Sequence, residues 1–252
     1  MENRELGPVR DFYRRALGAL NDAGVPYLIG GAYALGAHTG IHRETKDLDL
    51  FTVPRCAPDL LKLFSETGYA SRLVARHWLG KVMWEDAVID IIFGFRNGVR
   101  QLDDTWFEHA EDGVLFDIPV KVLSVEDMIW SKAFVMERDR YDGADIAHLF
   151  HSRAGDMDWN RLIDRFGEYW PLLLHYVVLF GFIYPAERPT IPDWVVNELT
   201  DRWRQQGVAP GPEICQGTLL SHLQYVHDVR VLGLPDARLL PLGNLTERGI
   251  NE

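Results

Sequence analysis

The sequence predicts an α+β fold: a mixed sheet flanked by helices, followed by an all-helical C-terminal half. Three observations predict it. Through the first half, short apolar runs of strand length alternate with two or three helical stretches. From about residue 124 onward, apolar positions recur at helical spacing alone. Glycine and proline fall between the runs, where turns must lie. With 252 residues the chain has room for one large domain or two small ones. The expected division is residues 1–123 and 124–252.

The elements follow in order. Val9, Phe12, Tyr13, Ala16, Leu17 and Leu20 mark a helix over residues 9–23, which Gly24 ends. Residues 27–29 read as a strand broken by Gly30-Gly31, and residues 32–37 as a short helix rising from the glycines. Residues 48–53 form a second strand. Pro58 suits the first turn of a helix through residue 65, which Gly68 closes. Residues 72–75 and 81–84 look like two strands of a meander, 87–93 is a strong strand, and 120–123 is another. Ser124 with Asp127 forms a capping box that opens the helical half. Helices are expected at 125–138, 144–150, 159–166, 171–183, 194–206 and 213–231, with proline-rich connectors at 184–192 and 209–212. The tail from residue 233 has no clear period.

Composition narrows the class. Hydrophobic residues make up 47% and charged residues 25%, which is globular rather than disordered. The net charge of −11 gives no sign of the basic face that nucleic-acid binding usually needs. It favours a small, cationic or protein acceptor, and leaves tRNA open through a local patch. Cys56 and Cys215 form no CxxC pair, so neither zinc nor a disulfide framework is expected. No secretory signal is legible. The apolar stretch 172–184 is shorter than the roughly 20 residues a span requires. The expectation is a cytoplasmic protein without a membrane partner.

The chemistry concentrates between residues 28 and 53. Residues two apart on a strand share a face. Asp47 and Asp49 therefore face one way while Leu48 and Leu50 enter the core. Two carboxylates about 7 Å apart repel each other unless a cation sits between them, and oxygen ligands suit Mg²⁺ or Mn²⁺. Asp90 lies in Val88-Ile89-Asp90-Ile91-Ile92-Phe93, a strand apolar on both faces and so expected to be central. A carboxylate there is costly unless paired or bound to metal. If this strand adjoins the Asp47 strand, three carboxylates converge, enough for two ions in in-line phosphoryl chemistry. Gly30-Gly31 lets the backbone approach a phosphate at a helix N-terminus. It is neither a Walker A loop nor GxGxxG.

Gly-Gly, a gap of about fifteen residues, an apolar-flanked Asp-x-Asp and a later lone Asp on an apolar strand together resemble the nucleotidyltransferase superfamily, the group with the polymerase-β-like fold. The segment Thr45-Lys46-Asp47-Leu48-Asp49-Leu50 is similar to small prokaryotic members, including the AbiEii toxin type. So is the stretch from Leu123 to Lys132, followed by Arg138 and residues 142–149. The resemblance covers roughly residues 25–150. It implies transfer of a nucleotide from an NTP to an acceptor hydroxyl with release of pyrophosphate. Gly30 and Gly31 would contact the phosphates. Asp47 and Asp49 would hold the metals, and Asp90 would be the third ligand and help deprotonate the acceptor. Lys132 would reach the triphosphate, with Arg43 and Lys46 beside the carboxylates to stabilise the leaving pyrophosphate. The acceptor is a small molecule, a tRNA or a protein. The helical half would form the acceptor side, and the AbiEii likeness suggests a toxin with an antitoxin partner.

Blander readings stand beside these. A non-catalytic nucleotide-binding or interaction module could keep the fold, but would have no reason to bury Asp90. An Asp-nucleophile phosphohydrolase would want Thr or Val where Phe51 stands. Lys132 could be a helix-surface lysine, and Asp142 and Asp145 could simply open a helix. His148 and His151 have metal-like spacing with Asp145, yet lack HExxH and read as surface and core residues. The aromatics of the second half read as helical core.

Overall fold

The structure, a computed structural model, describes residues 6–206 and 211–250. The chain divides into two compact units. The first comprises the residues up to Ser124 together with the segment from Arg238, and the second is Val125–Ala237. The break at Ser124 lies where the strand pattern gives way to the helical one. The final segment, which the sequence assigned to the helical half, belongs to the first unit.

The first unit is a helix-flanked sheet. Helix α1 (Leu6–Ala23) leads to β1 (Leu28–Ile29), α2 (Gly31–Thr39), β2 (Asp47–Phe51), α3 (Ala57–Glu66), β3 (Ala70–Ala75), β4 (Leu79–Trp84) and β5 (Ala87–Ile92). A short α4 (Thr105–Glu108) precedes the hairpin β6 (Glu111–Leu115) and β7 (Ile118–Val122). Seven strands form one sheet in the order β3-β4-β5-β2-β1-β7-β6. The sheet is mixed: β2/β5 and β1/β7 pair in parallel, the other neighbours antiparallel. Its core is built from Phe12, Leu17 and Leu20 of α1, Leu60 and Phe64 of α3, and Leu48, Leu50, Ile89 and Ile91 of the central strands, all with no exposed surface. Burying a side chain of this size stabilises by about 1.5–3 kcal/mol, so these two central strands are the best-anchored part of the unit.

Strand β6 was not expected from sequence. Its run Glu-Asp-Gly-Val-Leu is polar, and it stands at the sheet edge with alternating exposure, where apolar periodicity is weakest. The β6–β7 turn holds Phe116 and Asp117 at φ 53° and 65°, a geometry that normally selects Asn or Gly. The cost, about 1–2 kcal/mol per residue, is offset by ring packing. Phe116 stacks on Tyr13 at 5.9 Å, meets Tyr33 edge-on at 5.5 Å, and carries the Arg10 guanidinium 5.8 Å above its face. The tail also departs from expectation. Leu239 bridges Leu245, Leu245 packs against Gly98, and Asn244 donates to the Gly98 carbonyl at 3.0 Å.

The second unit is helical. It contains α5 (Val125–Ala133), α6 (Gly143–Arg153), α7 (Trp159–Phe166), α8 (Trp170–Ile183), α9 (Asp193–Gln206) and a short α10 (Val226–Arg230). The 125–138 helix stops at Ala133. The expected helix at 213–231 is instead a 3-10 turn at Gly217–Leu219, then α10. Of the connector at 209–212, positions 209 and 210 lie outside the described residues. Asp127, expected in a capping box, has no exposed surface and takes Arg161 and Arg165 as ion partners at 2.5 Å each, while Glu126 pairs with Arg161 at 2.8 Å. Helix α8 is only half buried. Trp170, Leu173, Tyr176 and Phe180 are inside, and Val178 and Phe182 are exposed. From Trp159 to Ile183 the helical run is 25 residues long, and its 18-residue apolar stretch has mean hydropathy 1.3. By length and composition alone it could cross a membrane, as some core helices could. It is longer than the stretch read from sequence because a 3-10 turn at Gly167–Tyr169 joins α7 to α8.

Candidate active site

Strand β2 sets the site. Asp47 and Asp49 alternate with fully buried Leu48 and Leu50, so both carboxylates leave the strand on one face. Strand β5 runs beside it with Asp49 opposite Asp90. Partners in register share a face, so Asp90 joins the pair and the three predicted carboxylates face the same way.

The N-terminus of α2 closes on this face. Gly30 donates its backbone N–H to the Asp49 carbonyl at 3.0 Å. Gly31 has φ 55°, and a methyl group there would land on the Asp49 carboxylate, while one on Gly30 would strike the Phe51 ring. Gly31 is therefore required twice, by backbone conformation and by the closeness of Asp49, and Gly30 once, by the Phe51 ring. Thr45 secures Asp47 from the other side, its hydroxyl 2.5 Å from Asp47 Oδ1.

Sequence reasoning missed three residues here. Lys81 on β4 is the register partner of Asp90, and its ammonium lies 2.7 Å and 3.0 Å from the two carboxylate oxygens. Burial pushes the Asp90 carboxyl up, Lys81 pulls it down and the Asp47 charge pushes it up. The net direction is upward. Tyr13 is the second. Its hydroxyl lies 3.1 Å from the carbonyls of both Lys46 and Val88, tying the start of β2 to β5. The third is Tyr33, in the first turn of α2, whose phenol is pushed up by burial and by Asp47. Burial likewise raises Tyr13, so both phenols stay protonated. The cross-strand register that would have revealed Lys81 is a long-range property, though its alternation with Val82 was legible.

The remaining candidates are placed as follows. Arg43 and Lys46 lie exposed in the loop between α2 and β2. Lys132 is in the second unit and buried, 2.8 Å from Asp145 and 3.3 Å from Asp142, a pairing that sequence did not anticipate. It joins α5 to the start of α6. His151 pairs with Glu187 at 2.5 Å.

Carboxylate oxygens are hard ligands that fit Mg²⁺ or Mn²⁺. Asp47 and Asp49 would hold such an ion. Among the described residues no three His, Cys, Asp or Glu side chains are already gathered into a metal cluster.

A family model described as aminoglycoside-2''-adenylyltransferase matches residues 14–148, more than half of the chain and every residue of the site except Tyr13. Solved structures of similar proteins include two of the antibiotic-resistance factor ANT(2'')-Ia, one of them in complex with adenylyl-2''-tobramycin. They are 15% and 16% identical, cover 79% of this chain and 94% and 98% of their own, and give TM-scores of 0.42. Lincosamide adenylyltransferase LnuA with bound lincomycin is 18% identical over 56% of this chain and 94% of its own, with a TM-score of 0.40. JHP933 from Helicobacter pylori is 14% identical over 81% and 97%, with a TM-score of 0.42. No curated protein matches. The family found replaces the AbiEii type suggested by the sequence, and nothing supports a toxin–antitoxin pairing. The chain belongs to the aminoglycoside-2''-adenylyltransferase family of the nucleotidyltransferase superfamily.

Proposed function

We propose that this protein transfers AMP from ATP to a hydroxyl of a small polyhydroxylated or cationic molecule, of the aminoglycoside or lincosamide type, and releases pyrophosphate. The observation that carries the reading is the in-register placement of Asp47, Asp49 and Asp90 on one face against Gly31. The net charge of −11 suits a cationic acceptor, and ANT(2'')-Ia was solved with an adenylylated tobramycin.

Asp47 and Asp49 would bind Mg²⁺, which supplies charge neutralisation on the α-phosphate. Gly30 and Gly31 present backbone close to the phosphates at the start of α2. Asp90 accepts the proton of the acceptor hydroxyl as its oxygen attacks the α-phosphorus. The bond to the β-phosphate oxygen breaks and pyrophosphate leaves opposite the nucleophile. Arg43 and Lys46, on the loop beside β2, neutralise the leaving group. We assign Lys132 to its buried ion pairs with Asp142 and Asp145.

The test is pyrophosphate release with ATP, Mg²⁺ and either tobramycin or lincomycin, with mass spectrometry of the antibiotic. We expect an AMP adduct on one of them, absent from Asp47→Asn. A folded protein that modifies neither and releases no pyrophosphate with any hydroxylated acceptor tried would refute the transferase reading in favour of a non-catalytic nucleotide-binding module.

A further inference from the structure

We propose that Lys81 is a positioning residue for Asp90. Its ammonium holds both carboxylate oxygens and keeps Asp90 out of the coordination of the first divalent ion, leaving it for the acceptor hydroxyl. The inference rests on the metal-binding half of the reading above.

Three observations carry it. Lys81 and Asp90 are direct register partners on antiparallel β4 and β5, so the backbone fixes their pairing. The ammonium contacts both oxygens, at 2.7 Å and 3.0 Å, so it occupies the edge between them and leaves the outer lone pair of each oxygen for another donor. Asp90 is flanked on its other side by Asp49 of β2. It therefore stands between a cation and the carboxylates that would hold metal. A purely structural cross-strand pair would be worth little here, since the Lys81 side chain is 30% exposed. Its position matters more than its contribution to stability. With Lys81, the site carries three carboxylates and one ammonium, a formal charge of −2, which a single divalent ion balances. Without Lys81 the formal charge is −3, and Asp90 is free to swing toward the ion.

The two roles predict opposite results for metal. Loss of a merely structural pair loosens the strands and weakens metal binding or leaves it unchanged. Loss of a competitor tightens it. The experiment is a Mn²⁺ titration followed by electron paramagnetic resonance on the full-length protein without nucleotide. It compares wild type, Lys81→Met, Lys81→Met combined with Asp90→Asn, Lys81→Arg and Asp47→Asn. Met keeps the aliphatic stem and removes the charge, while Arg keeps the charge.

We expect Lys81→Met to bind Mn²⁺ about fivefold more tightly than wild type because Asp90 is released toward the ion, and Lys81→Met combined with Asp90→Asn to lose that gain; a gain the double variant keeps is through-space charge alone and overturns the proposal. Lys81→Arg should stay within about twofold of wild type, and Asp47→Asn should lose the binding. Unchanged or weaker binding in a Lys81→Met protein with a native circular dichroism spectrum overturns the proposal. So does tightening that Lys81→Arg shows equally. No Mn²⁺ binding by wild type overturns both this proposal and the function above. Tightening in Lys81→Met, together with no transfer to any acceptor by wild type, leaves the role of Lys81 standing while the transferase reading falls.

Discussion

Replacing Gly31 by alanine should uncouple the site from the sheet that carries it, and its size can be worked out from two parts. The first is backbone. Gly31 has φ 55°, in the left-handed region where a Cβ costs about 1–2 kcal/mol. The second is contact, because the new methyl would land on the Asp49 carboxylate. Asp49 must rotate away or α2 must lift, at a further cost of about 1–3 kcal/mol, the range for overpacking. Gly24 separates the parts. It has φ 64°, and a methyl group added to it would meet nothing within 4 Å, so Gly24→Ala carries the backbone part alone. We therefore expect Gly24→Ala to lose about 1–2 kcal/mol with normal transfer. Gly31→Ala should lose about 2–5 kcal/mol and reduce kcat/KM at least ~100-fold, as expected when a reacting group moves by about 1 Å. Urea unfolding and pyrophosphate release measure the two quantities. Equal stability losses for the two variants, with full activity in Gly31→Ala, would refute the claim that Gly31 exists to seat Asp49.

Three further outcomes follow from the same contacts. Asp47→Asn should abolish transfer yet raise thermal stability by about 0.5–1 kcal/mol, since the Asp47 charge opposes that of Asp90; a lowered Tm would show that the hydrogen bond from Thr45 outweighs the repulsion. Asp127→Ala should destabilise the second unit by about 3–5 kcal/mol, because it removes a fully buried carboxylate that pairs with both Arg161 and Arg165; a loss below about 1 kcal/mol in tryptophan-monitored unfolding would mean that Glu126 and water compensate both guanidinium groups. Burial alone would raise the Glu137 carboxyl, but hydrogen bonds from His222 and Ser221 win and hold it below the usual glutamate range. Its folded pKa is thus lower than its unfolded one, so its contribution is complete above about pH 4.3 and is lost as pH falls through the folded value. Tm measured from pH 5.5 to pH 3 (roughly the span of carboxylate titration) should fall more steeply for wild type than for Glu137→Gln, and parallel curves would remove Glu137 from the acid response.

What was legible in the sequence was local. Asp47-Leu48-Asp49-Leu50 states its own facing because strand periodicity is fixed by the backbone, and the Gly30-Gly31 break stands where β1 meets α2. The lone Asp90 amid Val88, Ile89, Ile91 and Ile92 marked itself by the cost of placing a charge there. Lys81 carried no such mark, since a lysine on a half-exposed strand is ordinary, and its meaning comes only from the register with β5. The edge strand β6 escaped because Glu111 and Asp112 hide the alternation. The helix expected at 213–231 failed for a related reason: Gly217 packs against Tyr225, and Cys215 bridges Asp236, contacts that no window of sequence reports. Helix α8 looked uniformly apolar, and only its neighbours decide which face is covered.

The pairing of Asp49 with Asp90 has a bearing on how this site can change over time. Its spacing is written in strand register, not in a loop that tolerates insertion. Removing one residue from β5 would turn Asp90 inward and bring an isoleucine to the surface. Two residues would restore the facing but move the carboxylate about 7 Å along the strand. Neither intermediate keeps the chemistry. Variation in what the proposed site accepts must therefore arise outside β2 and β5, leaving these two strands as a fixed ruler while the loops around them diversify.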